Sequence, residues 1–84
     1  MEKEYGFGNS YVYFIEENGT TRIFPKTSIM EIRAFIWDVN FTVSVVLVLG
    51  NGTTYTVFSK NFDNRNDAET ELENQLNYIY DFYD

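Results

Sequence analysis

The sequence predicts an α+β domain in which about five strands form one mainly antiparallel, twisted sheet, with a C-terminal amphipathic acidic helix across one face. Three observations carry this prediction. The turns at Asn18-Gly19 and at Gly50-Asn51-Gly52 each separate two runs of β-branched and aromatic residues, the pattern of a hairpin. Phe41, Val43, Val45, Leu47 and Leu49 alternate with period two, as a strand requires. From residue 66 onward the spacing changes to three and four, as an amphipathic helix requires.

The first hairpin joins residues 10–16 to residues 20–24. Asn-Gly is the dipeptide that best supplies the two positive φ angles of a type I′ turn, so that turn is expected here. Pro25 has no N–H for a ladder and should close the second strand or lie at an edge. The second hairpin joins residues 41–49 to residues 53–59 through Gly50-Asn51-Gly52. Val46 and Val48 add apolar side chains to the second face of its first strand, and a strand apolar on both faces is usually central.

Residues 28–37 fit two patterns. Ile29, Ile32, Phe35 and Ile36 have helical spacing and Ser28 with Glu31 resembles a capping box, whereas Ile32, Ala34 and Ile36 alternate as in a strand. The β-rich neighbours and the short link at residues 38–40 favour a turn followed by a strand over about residues 31–37. Residues 1–9 read as a flexible lead-in, residues 10–60 as the sheet and residues 66–83 as the helix of one domain spanning residues 1–84. Gly6-Phe7-Gly8 lacks the flanking strand and helix of a phosphate loop and reads as part of that lead-in.

For the helix, Asn66 is the expected N-cap, with Glu69 three residues on as its reciprocal acid. Ala68, Leu72, Leu76, Ile79 and Tyr83 recur at 4, 4, 3 and 4, which draws one apolar stripe to lie on the sheet. Glu69, Glu73, Asn77 and Asp81 form a row along the polar side, flanked by Asp67 and Glu71.

That row belongs to a strongly segregated charge pattern. The net charge is −7, and residues 67–84 hold six acids with no Lys or Arg, hence −6 of the total. The remainder is nearly neutral. An anionic end on a neutral body bears on partners and solubility. It disfavours direct binding to nucleic acid or to an anionic membrane, both of which repel it. Acids four apart on a helix lie about 6 Å apart along its axis, near the phosphate repeat of a nucleic-acid strand. The functional expectation is therefore an anionic surface that occupies the basic, nucleic-acid-binding groove of another protein. The residues assigned to it are Glu69, Glu71, Glu73, Asp81 and Asp84, with Tyr78 and Tyr80 as aromatic contacts. The plain alternative for these acids is a solubilising helix face, and for the tyrosines packing at the sheet rim. Trp37 is a second candidate anchor, with a core position as its alternative.

Chemistry is sparsely represented. The chain has no His and no Cys, so the usual general base, thiol nucleophile and transition-metal ligands are missing. Residues 63–67 resemble the start of a calcium loop, but Arg65 and Ala68 occupy positions that need a ligand and a glycine. No enzyme activity, cofactor or metal is expected. Three tripeptides fit the N-glycosylation pattern, at Asn18, Asn40 and Asn51, and none is expected to be modified. Met1 is followed by charged residues, and no apolar run approaches the roughly 18 residues that span a bilayer, so neither a signal peptide nor an anchor is expected. Together with the absence of cysteine, this points to a cytoplasmic protein.

In size, acidity and missing catalytic groups the chain resembles the small inhibitors that phages deploy against host nucleases, such as anti-restriction and anti-CRISPR proteins, some of which mimic DNA. The resemblance implies a non-catalytic inhibitor with a basic protein partner, possessing no direct nucleic-acid contact and acting in a bacterial host cytosol. Two readings of other classes stand beside it. One is an assembly subunit that associates through a sheet edge. The other is a small-ligand binder using aromatic residues over the sheet.

Overall fold

The computed structural model describes residues 5–83, with the side chains of Asp81 and Tyr83 excepted. The fold is α+β, but the strands divide into two antiparallel sheets of three rather than one sheet of about five. The first comprises β1 (Tyr5–Phe7), β2 (Tyr11–Ile15) and β3 (Thr21–Pro25), and the second β4 (Ile29–Trp37), β5 (Thr42–Leu49) and β6 (Thr54–Asn61). Helix α1 (Arg65–Tyr83) follows and packs chiefly on β4 and β5.

The break comes where proline permits no ladder bond. β3 ends at Pro25, a 3-10 turn over Lys26–Ser28 redirects the chain, and β4 starts a new layer instead of pairing with β3. β4 begins at Ile29, two residues before the expected strand. β1 was not foreseen: Tyr5–Phe7, inside the expected flexible lead-in, pairs with β2 in the register Tyr5 opposite Phe14 and Phe7 opposite Val12. Burial of Tyr5 and Phe7 against the core holds this short strand in place.

Both hairpins form, with a different turn. Gly19 N–H donates to Glu16 O and Gly52 N–H to Leu49 O, at 2.9 Å each, and both glycines have φ +91°. Asn18 and Asn51 do not have positive φ. These are type I turns followed by a left-handed glycine, the three-residue G1-bulge hairpin rather than type I′. Each asparagine carboxamide instead accepts from the N–H two residues on, Asn18 Oδ1 from Thr20 and Asn51 Oδ1 from Thr53, both at 2.9 Å.

β5 is central in its sheet, as its two apolar faces indicate. A bulge at Val57 on β6 lets Tyr55, Val57 and Phe58 all reach the core side. The core lies between the sheets, where Tyr5, Val12 and Phe14 meet Val45, Leu47 and Val57, with Ile79 of α1 closing the end. At the far turn, Phe41 adopts φ +55°, a costly conformation for a bulky residue. Arg65 over its ring, 5.9 Å from the centroid, and the Phe62 N–H bond to Phe41 O help to hold it.

Candidate functional site: the exposed face of the C-terminal helix

The start of α1 is fixed two residues earlier than its expected cap. Asn64 Oδ1 accepts from Asp67 N–H at 2.8 Å while Asn64 Nδ2 donates to Asp67 Oδ2 at 3.2 Å. Asn64, not Asn66, is thus the N-cap, and Asp67 takes the reciprocal role expected of Glu69. Arg65 opens the helix and binds Asp38 and, at 3.6 Å, Glu69. The contact to Asp38 raises the guanidinium pKa further. Part of the anionic end is therefore neutralised by a cation from just outside it.

The roll of the helix decides which acids face outward. The residues buried on α1 are Ala68, Gln75 and Ile79, with Leu72 and Leu76 only half-buried. Taking 100° per residue, the direction in which Ala68, Gln75 and Ile79 point lies about 40° from the axis of the expected stripe, on the side of Gln75 and Tyr78. The cause is polar. Tyr5 is fully buried and its hydroxyl donates to Gln75 Oε1 at 2.5 Å; Gln75 Nε2 donates to Glu71 Oε2 at 2.6 Å. The Tyr78 hydroxyl donates to the backbone oxygen of Tyr5 at 2.9 Å. Burial pushes the Tyr5 phenol pKa upward, and Tyr78 and Glu71 push it further in the same direction.

This network sorts the predicted site residues. Glu69, Glu73 and Tyr80 are exposed on one face of α1, Tyr80 at 58%. Glu71 is turned half inward to Gln75, and Tyr78 packs against the core with its ring 5.2 Å from that of Tyr5. Neither forms part of the same outward row. The Asp81 side chain and Asp84 lie outside the described residues. Asp67 stands exposed on the other flank, tied into the cap. Trp37 is 54% exposed, with its ring 5.3 Å from Phe35, and Val39 at the tip of the next turn is 94% exposed. Trp37 is thus a surface residue rather than a core one.

A cleft of about 400 Å³ lies elsewhere, between the end of β2 and the bulged β6, lined by Phe14, Tyr55, Val57 and Phe58 with Glu16 and Glu17 at its side. Glu16 is engaged by Arg22, whose guanidinium lies 5.5 Å from the centre of the Tyr55 ring. The aromatic walls of the cleft are joined by the polar side chains of Thr56 and Ser59 as well as the two glutamates. Among the described residues no three His, Cys, Asp or Glu are grouped to hold a metal ion, and no helix is long and apolar enough to cross a membrane. No family model, curated protein or solved structure matches the chain.

Proposed function

We propose that this protein is a non-catalytic, acidic protein-binding module whose α1 face occupies a basic, nucleic-acid-binding groove of another protein, as an inhibitor that mimics DNA does. The observation that carries the reading is the outward row of α1: Glu69 and Glu73, about 6 Å apart along the axis, lead to exposed Tyr80, and no cation follows Arg65 in the sequence. The carboxylates supply long-range attraction, and the tyrosine supplies contact area at low entropic cost. By resemblance the setting is a phage inhibitor acting on a nuclease in a bacterial cytoplasm.

The test is complex formation with a basic nuclease captured from a bacterial host, using variants at Glu69 and Glu73. Gln at both sites should weaken binding, Lys should weaken it more, and wild-type affinity should fall as salt rises from about 50 to about 300 mM. Binding that ignores charge reversal and salt overturns the proposal.

A further inference from the structure

The cleft between the end of β2 and the bulged β6 lies apart from the acidic row, and none of its lining residues belongs to α1. Its volume of about 400 Å³ falls within the range of small-ligand pockets, roughly 300–1,000 Å³. Phe14 from the first sheet and Tyr55 from the second, ring centroids 5.3 Å apart, both line it. Phe58 adds a third ring beside the Val57 bulge. All the charge on the lining is negative: Glu16 and Glu17 border the cleft, and no Lys or Arg lines it. The molecule already holds one cation at this border. The Arg22 guanidinium binds Glu16 and lies 5.5 Å from the centre of the Tyr55 ring, so a carboxylate and an aromatic face act together on a positive head group. Arg22 answers only one of the two carboxylates. Among the described residues no cation forms an ion pair with Glu17.

The geometry points to a binding site for an organic monocation, with a guanidinium or alkylammonium head beside Glu17 and Glu16 and an apolar stem against Phe14, Tyr55 and Phe58. Other classes of guest meet a penalty. An anion is repelled by both carboxylates. A neutral apolar guest gains the walls but draws water from the glutamates without replacing it. A metal ion lacks a third ligand, since among the described residues no three His, Cys, Asp or Glu are grouped to hold one. A cation with a stem meets every part of the lining: its charge pairs with Glu17, its stem covers the rings, and its N–H groups reach the hydroxyls of Thr56 and Ser59. Two carboxylates against one guanidinium leave the border one negative charge in excess, which sets the guest at a single positive charge.

This inference does not rest on the acidic-helix reading, and its probe is a small molecule. N-butylguanidinium titrated into the isotope-labelled full chain should shift the amide resonances of Glu17, Tyr55, Thr56 and Ser59 saturably, with a dissociation constant on the order of 1 mM for so small a ligand. N-butylurea, of nearly the same shape but uncharged, should bind at least about tenfold more weakly. Glu17→Gln should weaken N-butylguanidinium at least about threefold, and Glu16→Gln combined with Glu17→Gln at least about tenfold. Arg22→Gln removes the internal competitor and should tighten binding. Glu31→Gln, an equal change of charge on the opposite edge strand of the second sheet, should leave the affinity unchanged. N-acetylarginine methylamide separates two sources of the head group: binding as tight as that of N-butylguanidinium assigns it to an arginine of a polypeptide, and exclusion assigns it to a free cation. No saturable shift up to about 20 mM overturns the proposal. Equal binding of N-butylurea overturns it as well, leaving a merely apolar pocket. An equal loss in Glu17→Gln and Glu31→Gln also overturns it, reducing the effect to general attraction by an acidic protein.

Discussion

The Tyr5–Gln75 hydrogen bond can be isolated in a double-mutant cycle. Tyr5 is fully buried and Gln75 is 1% exposed, so neither partner can turn to water when the other is removed. Tyr5→Phe strands the Gln75 carbonyl oxygen, at a cost of about 1–3 kcal/mol for an unsatisfied buried acceptor. Gln75→Leu strands the Tyr5 hydroxyl at a similar cost and also removes the donor to Glu71. With both replaced, an apolar pair fills the same space and most of the desolvation penalty vanishes. The double variant should therefore lose less than the two singles together, by a coupling energy on the order of 1–2 kcal/mol. For a domain of this length each kcal/mol moves Tm by about 4–8 °C, so thermal and urea unfolding followed by circular dichroism resolve the difference. Strict additivity would refute the claim that this bond couples the helix to β1.

The same phenol makes stability sensitive to alkali. Its pKa is raised in the folded chain, so above its ordinary value of about 10 the unfolded state releases a proton that the native state keeps; stability is fully present below pH 10 and falls by up to about 1.4 kcal/mol per pH unit above it. Tyr5→Phe should flatten that slope in urea titrations between pH 9 and 11, and an unchanged slope would assign it to other groups. Ile79→Ala, at a site 4% exposed, should cost about 2–5 kcal/mol, and Leu76→Ala, half-buried, should cost less; the reverse order would contradict the helix roll described above. Gly19→Val and Gly52→Val each force a β-branched residue to φ near +91° and should destabilise by about 1 kcal/mol or more, so wild-type melting in both would contradict the turn geometry.

Local signals in the sequence were legible where one residue type has one physical use. The glycines of the two hairpins, the central position of the Val-rich strand, Pro25 at a strand end and the strand reading of residues 31–37 all follow from backbone chemistry or period-two alternation. The division into two sheets was not legible, because a proline and a three-residue turn end a strand without saying where the next one pairs. β1 was hidden by one glycine within it and another just after it. Gly6 and Gly8 resemble loop residues until the Tyr13 and Tyr11 rings are seen to occupy the space they leave. At the helix, Leu72 and Leu76 drew the expected stripe, and Gln75 lies outside it. A hydrogen-bond partner 70 residues away in sequence buries Gln75, and no periodicity records it.

The roll set by Gln75 links the core to the surface. Measured from the expected stripe, Tyr78 lay farther from the core-facing direction than Tyr80, and Glu71 farther than Glu69. A rotation of about 40° inverts both orders. Tyr78 and Glu71 become part of the docking network, while Tyr80 and Glu69 move outward beside Glu73. The acidic row is thus narrower than its composition implies, but its exposed members are held by a helix that cannot turn without breaking buried hydrogen bonds.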